Sequence, residues 1–82
     1  MASQVRQKVE EDRKHVIEAA IVRIMKARRL LDYNTIITEV TAHMKGRFVP
    51  VAVDIKKRLE SLIERDFLER DANDRTLYRY MS

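Results

Sequence analysis

The chain has no cysteine, a single glycine and a single proline. Without cysteine there are no disulfides and no thiolate metal site, which suits a reducing compartment. One glycine leaves no glycine-rich loop to cradle a phosphate. Long apolar runs are missing as well. The longest, Ala19-Ala20-Ile21-Val22, ends at Arg23, so neither a signal peptide nor a membrane span is expected. A soluble, intracellular chain is the expectation. Groups that carry catalysis are scarce too. His15 and His43 fall on different predicted helices with no partner at metal-ligand spacing. The carboxylates alternate with basic residues, as on a salt-bridged surface. A chain of 82 residues also has little room for a deep pocket. No catalytic residue, metal or cofactor is expected.

What is present supports one folded domain. Hydrophobic residues make up 45% of the chain and charged residues 37%, far from the composition of a disordered chain. Residues 1–11 lack an apolar period and read as a flexible linker or N-terminal extension, or as a frayed helix start. From about 12 to 31, Ile17, Ala20, Ile21, Ile24 and Leu31 form one helical stripe, with Asp12 as N-cap. A second helix is expected over about 35–45, capped by Asp32 or Asn34, and Gly46 stands where a left-handed C-terminal residue is wanted. Pro50 forces Val49 to be extended and suits the first turn of a third helix over about 51–65. Beyond it the period changes to that of strands. Phe67–Arg70 and Thr76–Tyr80 read as a hairpin spanning about 67–80. The expected fold of residues 12–82 is therefore α+β: a three-helix bundle with a helix-turn-helix and a C-terminal β-hairpin wing, a winged helix. A bare three-helix bundle with a disordered tail is the rival, and the aromatic residues at 67, 78 and 80 oppose it.

Such a fold with a pI near 9.7 raises the alternative of a DNA-binding winged helix. The charge distribution opposes that reading. Residues 13–31 carry six basic side chains and one acidic, whereas residues 49–66 carry four of each. The third helix, the one that would enter the major groove, is thus neutral, and phosphate contacts need net positive charge there. Helix 1 has a different peculiarity. At about 100° per residue, Lys26 lies opposite Ile17, with Ala19, Val22 and Leu30 around it. Those three either pack inside the domain, with Lys26 extending past them, or form a docking face rimmed by Arg23 and Arg29 with Lys26 at its centre.

The residues Glu11-Asp12-Arg13-Lys14 and Glu18 to Arg28, with Ile21-Val22-Arg23-Ile24-Met25-Lys26-Ala27-Arg28 as their signature, resemble the C-terminal segment of cullins, the scaffold subunits of multi-subunit RING ubiquitin ligases. Arg47-Phe48-Val49-Pro50, Ile55-Lys56-Lys57-Arg58, Leu62-Ile63-Glu64-Arg65, Leu68-Glu69-Arg70 and Tyr78-Arg79-Tyr80 continue the likeness to the end of the chain, where Met81-Ser82 departs from the usual ending. Gln4 to Val9 and Lys14-His15 look most like cullins that recruit BTB-domain adaptors. The resemblance implies a terminal winged-helix domain whose Lys26 accepts a ubiquitin-like modifier through an isopeptide bond, a modification that activates the ligase. It implies as partners the modifier, the RING subunit, the neddylation conjugating enzyme, a deneddylating complex and a cullin exchange factor. Nucleic acid and membrane are not implied. It also implies residence in cytoplasm and nucleus. Ala19, Val22, Arg23, Arg29 and Leu30 become candidate docking residues for the modifier or the conjugating enzyme, and Lys56 and Lys57 the next acceptors after Lys26.

Overall fold

The structure, a computed structural model, describes the backbone of residues 2–81 and the side chains of residues 12–81. In chain order it contains α1 (Ala2–Arg28), β1 (Leu30–Asp32), α2 (Tyr33–His43), α3 (Ala52–Glu64), β2 (Leu68–Arg70) and β3 (Leu77–Tyr80). The strands form one antiparallel sheet in the order β1-β3-β2. This is the winged-helix arrangement expected from the sequence, with one strand more.

α1 departs from expectation at both ends. Its backbone is helical from Ala2, which agrees with the helix start and not with the linker among the two expectations, and Asp12 lies inside the helix and not at its cap. The segment lacks an apolar stripe but is rich in Gln, Lys, Glu and Arg, all good helix formers, with no glycine or proline to break it. An apolar period is the helix signal missing there. At the other end α1 stops at Arg28 and not at 31. Arg29 takes a left-handed conformation, φ 74°, and its N–H bonds the Met25 carbonyl at 2.7 Å. The chain then enters β1 directly. Leu30, Leu31 and Asp32 pair with Arg79, Tyr78 and Leu77 of β3. Leu31 fits the helical stripe by its spacing from Ile24, yet it lies in the strand. Three residues are too few to display a strand's own period.

α2 follows β1 without a gap. Asp32 is its N-cap, accepting the Thr35 N–H at 3.2 Å and the Thr35 hydroxyl. These bonds hold the Asp32 carboxyl below its usual range, the Thr35 hydroxyl contributing most. Gly46 sits just past the helix with φ 90°, as anticipated. Pro50 is buried and lies two residues ahead of α3, outside its first turn. Val51 is the N-cap, and its carbonyl accepts the N–H groups of Asp54 and Ile55. Between β2 and β3, Asp71 accepts the N–H groups of Asn73 and Asp74, and Asp74 accepts the N–H and hydroxyl of Thr76. These bonds shape the link between the two strands.

The core lies where the three helices meet the sheet. Ile21 and Met25 of α1, Ile36 and Val40 of α2, Ile55, Leu59 and Leu62 of α3, and Leu68 of β2 are almost wholly buried, and Tyr78 of β3 closes the cluster. Burial pushes the Tyr78 phenol upward. No buried polar side-chain atom among the described residues lacks a partner.

Candidate modification site on the first helix

Lys26 lies in the last turn of α1, on the side away from the core, and is exposed. Its neighbours in sequence, Ile24 and Met25, are both buried. The amine thus projects from a helix whose opposite stripe is anchored in the centre of the domain, which fixes the base of its side chain while leaving the nitrogen free.

The proposed docking residues do not form one uniform face. Ala19 and Arg23 are exposed on α1. Val22 is half-buried and packs against the core cluster, so it serves both interior and surface. Leu30 is 41% exposed but belongs to β1, not to the helix. Its placement beside Lys26 by helical angle is therefore corrected: after the left-handed turn at Arg29 no helical angle applies to it. Arg29 itself is exposed, and its guanidinium stands over the Tyr80 ring, 5.4 Å from the centroid. The apolar second side read from the sequence reduces, on α1, to Ala19 and the outer part of Val22.

Ion pairs sort the charges of α1 by neighbour. Arg28 bonds Glu39 of α2 at 2.6 Å. Glu18 bridges Arg58 at 3.2 Å and Arg65 at 2.8 Å, tying α1 to α3 and the turn after it. Arg13 lies over the Phe48 ring at 5.1 Å. Lys14, Arg23 and Lys26 have no acidic partner among the described residues. The outward face is thus the positively charged one, and its charge is not spent inside the fold.

The same sorting bears on the nucleic-acid reading. Two of the four basic residues in the third-helix region, Arg58 and Arg65, are committed to Glu18, and Glu60 on that helix pairs with Arg70 of β2. Lys56 and Lys57 are exposed and make no ion pair among the described residues, and the exposed carboxylates Asp54 and Glu64 lie on the same helix. This face is not arranged for a phosphate backbone. Among the described residues there is no group of three or more metal-ligating side chains, and His15 and His43 both point to solvent.

Sequence reasoning missed two participants. Tyr80 reads from the sequence as a hairpin residue, whereas it is also the platform under Arg29. Glu18 was one acid in a basic stretch, whereas it anchors α3. The only available signal for Glu18 was that it is the sole acid among residues 13–31.

Comparison with known proteins agrees with this arrangement. A sequence-family model described as the cullin protein neddylation domain matches residues 12–74. Cullin-3A of Arabidopsis thaliana is 65% identical over 79 residues, which is 96% of this chain and 11% of that protein. Cullin-3 of Dictyostelium discoideum is 56% identical over 79 residues, again 96% of this chain and 10% of the relative. The chain therefore spans about a tenth of the length of these curated relatives. A solved structure of Cdc53(WHB) with Dcn1(P), described as a dual E3 mechanism for Rub1 ligation to Cdc53, superposes with a TM-score of 0.91 at 30% identity and covers 100% of this chain and 94% of its own.

Proposed function

This chain belongs to the cullin family as its neddylation domain, and on that premise we propose that Lys26 is the residue to which a ubiquitin-like modifier is joined. The observation that carries the reading is the exposed amine of Lys26 at the end of a core-anchored helix, within the signature Ile21 to Arg28. The reaction is acyl transfer. The neutral amine attacks the activated C-terminal glycine carbonyl of the modifier. An isopeptide bond forms, the carrier leaves, and the amine loses a proton. The domain supplies the nucleophile and its placement. The conjugating enzyme and RING subunit supply the activation, so the domain is a substrate and not a catalyst.

Within a whole cullin this places the domain at the regulated end of a RING ubiquitin ligase scaffold, acting in cytoplasm and nucleus. Modification activates the ligase. The likeness to cullin-3 proteins supports a parent that recruits BTB adaptors. The likeness to Cdc53(WHB) supports a Rub1-like modifier and a Dcn1-like helper protein as partners. A deneddylating complex and an exchange factor complete the cycle. Ala19, Val22 and Arg23, on the same helix as the acceptor, and Leu30, which follows that helix in β1, are assigned to docking. Their mixture of small apolar and cationic side chains fits a partner with an apolar patch and acidic rim.

A reconstituted conjugation reaction tests the reading. The wild-type chain gains one modifier, and Lys26→Arg gains none while keeping its circular dichroism spectrum. Modified product from Lys26→Arg at the wild-type rate contradicts it.

A further inference from the structure

The last turn of a helix is where its hydrogen bonds are incomplete and where it frays. Lys26 occupies that turn. A nucleophile on a fraying turn samples many positions, and misplacement by about 1 Å costs on the order of 100-fold in rate. The structure shows how the turn is closed. The Arg29 N–H completes it on the Met25 carbonyl at 2.7 Å, and Arg29 adopts φ 74° to do so. At such a position glycine is the usual residue, because a side chain is disfavoured there. Gly46, past the end of α2, follows that rule at φ 90°. Arg29 does not.

Both halves of Arg29 meet the same partner. Its carbonyl accepts the Tyr80 N–H at 2.8 Å, and its guanidinium lies over the Tyr80 ring at 5.4 Å. Tyr80 is itself fixed, paired with Leu68 in the sheet, and the next residue, Met81, bonds the Phe67 carbonyl at 2.9 Å. The turn that follows Lys26 is therefore bolted to the last strand through main chain and side chain together. Backbone strain retained at one residue, three positions from a candidate reacting group, calls for an account of that residue's side chain.

We propose that Arg29, seated on Tyr80, is a positioning residue for the acceptor: it holds the last turn of α1 closed so that the Lys26 amine is presented in one place. This rests on Lys26 being the acceptor, and it reassigns Arg29 from docking a partner to ordering its own chain. Arg29→Gly keeps the left-handed turn and its main-chain bonds but loses the side-chain bolt. Tyr80→Leu removes the ring face but keeps an apolar strand residue. Arg29→Lys keeps a cation that can sit over the ring.

The test is steady-state conjugation of the 82-residue chain with conjugating enzyme charged with the modifier, at a temperature where circular dichroism shows every variant folded. Arg29→Gly and Tyr80→Leu are each expected to lower kcat by about tenfold, on the scale of a fraction of an ångström of misplacement, with KM for the charged enzyme unchanged. The double variant is expected to be no slower than either single one, and Arg29→Lys to recover most of the rate. A wild-type kcat in folded Arg29→Gly overturns the assignment, as does a loss carried entirely by KM, which marks a docking contact. Mapping the wild-type product separates the two claims. A modifier found off Lys26 defeats the acceptor reading itself, whereas product on Lys26 with unaltered Arg29→Gly kinetics defeats only the role given to Arg29.

Discussion

At the scale of single residues, Lys26 is the proposed acceptor, and Val22, Asp32 and Asp74 each have a testable role. Lys26 is ordinary as a lysine; its place is what distinguishes it, on a helix with Ile24 and Met25 buried beside it. Val22 lies four residues before it and half in the core, so one substitution there probes the surface around the amine. Val22→Asp is expected to slow conjugation by roughly tenfold through loss of a partner contact, read from initial rates on folded protein. An unchanged rate removes Val22 from the docking set. Asp32 and Asp74 set the behaviour in acid. The Thr35 hydroxyl and N–H hold the Asp32 carboxyl below its ordinary value of 3.8, and those of Thr76 do the same for Asp74. A depressed folded-state pKa stabilises the fold above the unfolded value, and that stabilisation disappears as pH falls through the folded one. The thermal midpoint should therefore be flat with respect to these two groups from pH 7 to about 5 and fall below about 4. Asp32→Asn, which keeps a capping oxygen but cannot ionise, should shallow that fall. An identical acid profile for the variant would contradict the role given to the cap.

At the scale of elements, the three helices were readable because each buries a stripe in this core. Ile55, Leu59 and Leu62 on α3 fall at the spacing a single buried face requires, and all three are buried. Leu59→Ala should lower unfolding free energy by roughly 2–5 kcal/mol, because its side chain lies wholly within the cluster; chemical denaturation measures this. β1 was not readable. It is three residues long, follows a helix without a loop, and depends on a left-handed arginine. Arginine gives no sequence signal for that conformation. The strand that follows it pairs with β3, some fifty residues away in sequence, which only the folded chain brings together. The extension of α1 back to Ala2 is marked in the sequence only by helix propensity, since its residues are good helix formers with no apolar period. Glu18 links α1 to α3 through two arginines, with its own side chain 15% exposed. Glu18→Gln should destabilise the domain by about 1 kcal/mol, the scale of partly screened pairs, and the loss should shrink in high salt.

Across the whole molecule, charge is distributed by use. The pairs Arg28–Glu39, Arg58–Glu18, Arg65–Glu18, Arg79–Asp71 and Arg70–Glu60 tie neighbouring elements together. Lys14, Arg23 and Lys26 on the outward side of α1 are among the cations that make no ion pair within the described residues. A net charge of +4 is thus better suited to meeting an acidic protein surface than to coating a phosphate backbone, which would require it on α3. The family signature made Lys26 conspicuous in the sequence, and the helical stripe showed which side of α1 would be buried. The docking surroundings were less evident. The helical angles that placed Leu30 beside Lys26 end at Arg28, and those that placed Ala19 and Val22 there say nothing of how deeply Val22 sinks.

The central claim is that one amine, that of Lys26, is conjugated. Protease digestion of the modified wild-type chain followed by mass spectrometry reads it directly, because the modifier's C-terminal remnant stays on the lysine it joined. The remnant is predicted on the peptide containing Lys26. Finding it on Lys56, Lys57 or another lysine, with Lys26 recovered unmodified, would contradict the account.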